Sequence, residues 1–156
     1  MTASGLAAAS TLRLVAVHEA GHAVAAHLMG LHLAQLEIVG DGELAGSCHT
    51  LRLLADRTPA GIRLLVACAG PVAEAMERGG AWDEDTHDLD VAVRLALGIA
   101  GDCEAAHRLL EVTADRARHL LARHWHAGDG IARALQRRRR LGSGELDALL
   151  AALVDP

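Results

Sequence analysis

The segment His18-Glu19-Ala20-Gly21-His22 lies inside LRLVAVHEAGHAVAAHLMG, a run that is apolar on nearly every helical face, and this conflict restricts how the chain can fold. A helix with Leu14, Val15, Ala16, Val17, Ala20, Val24, Ala25, Ala26, Leu28 and Met29 spread around it belongs at the centre of a core. Two imidazoles and a carboxylate carried into that core are costly unless a metal ion or a polar network compensates them. On an α-helix residues i and i+4 share a face, so His18 and His22 can offer nitrogens to one ion while Glu19 stands beside a water that the ion activates. Zinc there lowers the pKa of the water and polarises a carbonyl, while Glu19 accepts a proton and passes it to a leaving amine. The pattern predicts zinc-dependent peptide-bond hydrolysis, with His18 and His22 as metal ligands and Glu19 as catalytic base.

The rest of the composition agrees with a packed helical domain. The 156 residues are 51% hydrophobic and 22% charged, as expected of one globular domain with a real core. Phe, Tyr and Lys are absent, and Trp82 and Trp125 are the only aromatics, so the core must be Leu, Val and Ala on closely approaching helices. A net charge of −5 provides no general attraction to nucleic acid or anionic lipid. Cys48, Cys68 and Cys103 are odd in number and lack CxxC spacing, which argues against a disulfide framework and for a reducing, cytoplasmic setting. Arg13, Glu19, Arg63, Glu74 and Arg94 interrupt every candidate membrane span, and no positively charged segment precedes an apolar one at the N-terminus.

Along the chain, the motif helix is expected over about 11–29, ended by Gly30. LAQLEIVGDGELAGSCHTL then reads as a hairpin over about 34–50 that turns around Gly40-Asp41-Gly42. Thr58-Pro59 opens a helix over about 58–79, with Pro at its first position and a kink or break near Gly70 caused by Pro71. Thr86 or Asp85 caps a helix over 86–100, and Asp102 starts a long one to about 126. Gly128 to Gly130 punctuates, and helices over 131–139 and 144–154 follow, the last capped by Ser143. The fold class expected is mainly α (α+β), zincin-like, with a small β-hairpin near the active-site helix.

A catalytic zinc takes three protein ligands, so a third must come from elsewhere. The metzincin pattern HExxHxxGxxH is excluded by Ala25 and Leu28, and among downstream carboxylates Glu37, Glu43 and Glu74 none stands out.

Several segments resemble, in order, the peptidase domain of the FtsH family of membrane-anchored, ATP-dependent zinc proteases. HEAGHAVAAHL resembles that family's HEAGHA helix, LAQLEIVGDGELAGSCH its strand pair and LLVACAGPVAEAM its GGRxAE helix. THDLDVAVRLA resembles its (A/S)xNDL-type segment, in which the Asp is the third zinc ligand, and the resemblance implies that role for Asp88. The closing part, from ADRARHLLARHWHAGDGIARAL to ELDALL, is similar by pattern alone. Ala69-Gly70-Pro71 departs from Gly-Gly-Arg, His87 replaces the usual Asn, and no Walker motif occurs. Glu74 keeps the AE position and is expected to support the ligands or serve as a reserve ligand, while His87 is a candidate for oxyanion stabilisation in a chain without tyrosine.

The expected substrate is unfolded or peptide-like, with a separate ATPase or adaptor as a possible partner, and an oligomer is compatible with the sequence. The hairpin edge could pair with extended substrate. Arg137 to Arg140 reads as a solvated helix end or as a contact for an acidic partner. Two other functions fit the same residues: a regulatory metallopeptidase of the ImmA type that cuts one partner, and a non-catalytic interaction module stabilised by metal.

Overall fold

The computed structural model describes residues 3–38, 58–81 and 87–154. Among these residues six helices and two short strands follow in the order α1 (Ala3–Leu28), β1 (Gln35–Glu37), α2 (Ala60–Arg78), α3 (His87–Ala100), α4 (Cys103–Arg123), α5 (Trp125–Arg138), β2 (Arg140–Gly142) and α6 (Ser143–Val154). The described residues are mainly helical with one small antiparallel sheet, the expected class.

Helix α1 lies at the centre of the core, and every residue from Ala16 to Ala26 is buried. Its main partners are α2 and α5. It begins earlier than the expected residue 11, and it ends where the sequence indicates. Gly30 adopts φ 72°, so that its N–H reaches the carbonyl of His27 at 2.9 Å and the N–H of Leu31 reaches that of Ala26 at 2.9 Å. This pairing satisfies the last carbonyls of the helix through a left-handed residue, a role for which glycine carries no Cβ penalty.

Pro71 does not break α2. Leu64 to Ala73 are all buried, and packing on both sides outweighs the backbone hydrogen bond that the proline removes. Pro59 is the cap residue and not the first helical one, so the expected start lies slightly too early. Asp102 caps α4 as expected, its side chain accepting from the N–H of Ala105 at 2.8 Å. Thr86 and Asp85, expected as a cap for α3, lie outside the described residues.

The punctuation expected at Gly128 to Gly130 is absent. Helix α4 ends at Arg123 and α5 already begins at Trp125, with both glycines inside it. A Cβ on Gly130 would lie 2.7 Å from Cδ1 of Leu153, so this glycine makes room for α6 instead of ending a helix. Ser143 is likewise the first residue of α6 and not its cap.

The first arm of the expected hairpin is β1, and its second arm lies outside the described residues. Within them β1 pairs with β2, so that Gln35 faces Gly142, Leu36 faces Leu141 and Glu37 faces Arg140. Leu36 and Leu141 are fully buried, and Ile38 extends the pairing by donating to the carbonyl of Arg139 at 2.8 Å. The arginine run is divided among three elements. Arg137 and Arg138 end α5, Arg139 turns the chain at φ 62°, and Arg140 enters β2. Arg138 pairs with Glu145, and Arg140 donates to Gln35, 105 positions away in sequence, at 2.5 Å.

Arg13 ties three helices together. Its guanidinium meets Glu77 of α2 at 2.8 Å and Asp129 of α5 at 2.8 Å. No helix among the described residues is long and apolar enough to cross a membrane.

Candidate metal centre

His18 and His22 leave α1 one turn apart and are 5% and 3% exposed. Each ring has its Nδ1 turned to an acceptor on α2. Nδ1 of His22 lies 2.7 Å from the carbonyl oxygen of Val66, and Nδ1 of His18 lies 3.1 Å from Oε2 of Glu74. A carbonyl and a carboxylate only accept, so both Nδ1 atoms carry hydrogen and both Nε2 atoms of the neutral rings present lone pairs.

Those two Nε2 atoms face each other at 3.2 Å. Asp88, in the first turn of α3, completes the triangle with Oδ2 at 2.9 Å from Nε2 of His18 and 3.5 Å from Nε2 of His22. Three lone-pair donors converging in this way repel one another unless a cation lies among them. For metal bonds of about 2.0–2.2 Å, tetrahedral coordination separates neighbouring donors by about 3.3–3.6 Å, within a few tenths of an ångström of the spacing here. His18, His22 and Asp88 therefore form a group that can hold a metal ion, and the donor set is two nitrogens and one oxygen.

The electrostatics follow from the same geometry. Burial disfavours a charged His18, but hydrogen bonds to Asp88 and Glu74 and the nearby charges of Glu19 and Asp88 outweigh it and raise its pKa to about 9. Asp88 resists burial, which alone would raise its pKa, and is held well below the usual carboxylate range by His18 and His22. In the metal-free protein the cation is thus a proton on His18, shared towards Asp88.

The other candidates take different places. Glu19 is fully buried beside His18, and its charge contributes to the His18 shift. Glu74 lies on the Nδ1 side of His18, away from the convergent nitrogens, and its other oxygen pairs with Arg78. A carboxylate on the outer nitrogen of a metal-binding histidine fixes the ring and its tautomer. His87 is the exposed first residue of α3. Glu37 is engaged within the sheet region by Gln35 at 2.6 Å, and Glu43 lies outside the described residues.

Sequence reasoning missed two parts of the site, the Val66 carbonyl and Gly70. A backbone acceptor has no sequence signature. Gly70 had one in its placement four residues before Glu74, but its neighbour Pro71 drew attention to helix breaking. A Cβ on Gly70 would lie 2.3 Å from Nε2 of His22 and 2.7 Å from Nε2 of His18, so the backbone of α2 forms one wall of the donor cluster.

No protein-family model matches the chain, and no curated protein sequence matches it. The fold and the site themselves define a mainly helical protein in which two buried histidines and a part-buried aspartate form a cluster suited to a metal ion.

Proposed function

We propose that this chain is a zinc-dependent peptidase acting on flexible or unfolded polypeptide. The observation that carries the reading is the convergence of His18, His22 and Asp88 from two separate helices, with Glu19 next to the first ligand. Two imidazoles and one carboxylate are a donor set that suits zinc, and three is the number of protein ligands a catalytic zinc site takes. When bound, zinc supplies Lewis acidity that activates a water and polarises a carbonyl oxygen.

The protein groups do the rest. Nε2 of His18, Nε2 of His22 and Oδ2 of Asp88 would hold the ion, while Glu74 and the Val66 carbonyl keep the two rings in the ligating tautomer. Glu19 takes a proton from the attacking water and delivers it to the nitrogen of the departing amine. The side chains of His18 and His22 are 6% and 4% exposed and that of Asp88 is 27% exposed, a recessed arrangement that suits a flexible segment better than a folded surface. The similarity of HEAGHA and THDLD to segments of the FtsH peptidase domain supports the same reaction.

The test is Glu19→Gln. Hydrolysis of an unfolded polypeptide falls by about 10²–10⁴-fold while zinc stays bound, because the amide cannot act as the base. A zinc-loaded wild type that cleaves no unfolded polypeptide overturns the peptidase reading in favour of a metal-stabilised interaction module. Cleavage confined to a single site in one protein favours the regulatory type.

A further inference from the structure

Helices α1 and α2 meet through two glycines whose neighbours differ in kind. A Cβ on Gly21 would lie 2.6 Å from the carbonyl oxygen of Ala69 and 2.6 Å from Cβ of Ala73. Only separation of the two helices relieves those contacts. A Cβ on Gly70 instead meets Nε2 of His22 at 2.3 Å and Nε2 of His18 at 2.7 Å, the two atoms that converge with Asp88. All four distances are under the 3.0 Å that real Cβ atoms respect.

The imidazoles cannot simply swing aside. His22 is held through Nδ1 by the carbonyl of Val66, four residues before Gly70, and His18 through Nδ1 by Glu74, four residues after it. Residues four apart lie on one face of a helix, so Val66, Gly70 and Glu74 form a single stripe along α2. Its two ends fix the outer nitrogens of the rings. Its middle must be empty for the inner nitrogens to meet.

We propose that Gly70 is a positioning residue of the metal centre: the missing side chain between Val66 and Glu74 lets Nε2 of His18 and Nε2 of His22 converge on one ion. The inference rests on reading the cluster as a metal centre. It requires Gly70→Ala to act against the intrinsic preference of the backbone, since alanine in a helix interior is ordinarily more favourable than glycine. Gly61 in the same helix has nothing within 4 Å of an added Cβ and is the matched control.

The experiment compares the full-length wild type, Gly61→Ala, Gly70→Ala, His18→Ala/His22→Ala and the triple variant His18→Ala/His22→Ala/Gly70→Ala. Zn²⁺ affinity is measured by competition with a chromophoric chelator, coordination by the visible absorption of Co²⁺, and metal-free melting by circular dichroism. Gly61→Ala is expected to bind Zn²⁺ like wild type, and Gly70→Ala about 100-fold more weakly, with loss of the intense tetrahedral Co²⁺ bands. Adding Gly70→Ala to the variant lacking both histidines is expected not to lower its melting temperature. If Gly70→Ala fails to fold while the triple variant folds, the clash with the imidazoles is upheld; if both fail, the obstacle is the backbone and the proposal falls. Equal Zn²⁺ binding by wild type and Gly70→Ala overturns the role of the glycine alone. Absence of Zn²⁺ binding by wild type overturns the metal centre, and the glycine proposal with it.

Discussion

Oε2 of Glu74 lies 3.1 Å from Nδ1 of His18, on the opposite side of the ring from Asp88, which sits 2.9 Å from Nε2. One imidazole is thereby held between an outer and an inner carboxylate. The two acids have separable effects: Asp88→Ala removes a donor and abolishes stoichiometric Zn²⁺ binding, whereas Glu74→Ala leaves three donors and weakens binding by about 10–100-fold. Metal analysis of the purified variants and chelator competition distinguish the two outcomes. Unchanged affinity in Glu74→Ala contradicts the outer role of that residue.

The protonation of His18 links the site to pH in opposite ways for the metal-free and metal-loaded protein. With a folded pKa raised to about 9 from an ordinary 6.5, His18 contributes stability that is fully present below about pH 6.5 and is lost as pH rises through about 9. Zn²⁺ must displace that proton, so its affinity rises over the same interval by up to about tenfold per pH unit. The melting temperature of metal-free protein should therefore fall between pH 6.5 and 9 while the increment produced by Zn²⁺ grows. A zinc increment that is flat over this range contradicts the assignment of the proton to His18.

Leu36 and Leu141 face each other across the two-stranded sheet, and both are fully buried. Replacing either by alanine is expected to cost about 2–5 kcal/mol, from lost burial and the cavity left behind. The double variant should cost less than the sum, because the second truncation removes a contact already lost. Urea denaturation of the four proteins measures the coupling. Strict additivity indicates that the two side chains do not share a packing site.

Cys68 and Cys103 should differ sharply towards alkylating reagents. Burial raises the Cys68 thiol to about 12, leaving almost no thiolate at neutral pH, whereas Cys103 is exposed at the start of α4. Peptide mapping after native alkylation at about pH 8 is expected to find Cys103 modified and Cys68 intact until denaturant is added. Rapid native labelling of Cys68 contradicts its burial.

Most of the helices were legible because their causes are local. The apolar run around HEAGH marks the central helix, Gly30 its end and Asp102 the cap of α4, since each acts through residues within one or two turns. The errors arose where distant packing overrode a local signal. Pro71 and Gly128 to Gly130 suggest interruptions, yet all lie within helices, where burial of α2 offsets the backbone cost at Pro71 and the approach of Leu153 requires the space at Gly130. The pairing of β1 with β2 has no local signature, because its partners are separated by most of the chain.

The site divides in the same way. Helical spacing alone places His18 and His22 on one face with Glu19 adjacent, because 3.6 residues per turn is a property of the backbone itself. The approach of Asp88, the capture of the outer nitrogens by Val66 and Glu74, and the opening left by Gly70 were decided by how α2 packs against α1 and how α3 packs on α2 and α4. Those contacts require the separations between helices to hold within a few tenths of an ångström, and such separations are set by the summed packing of the core and not by any one stretch of sequence.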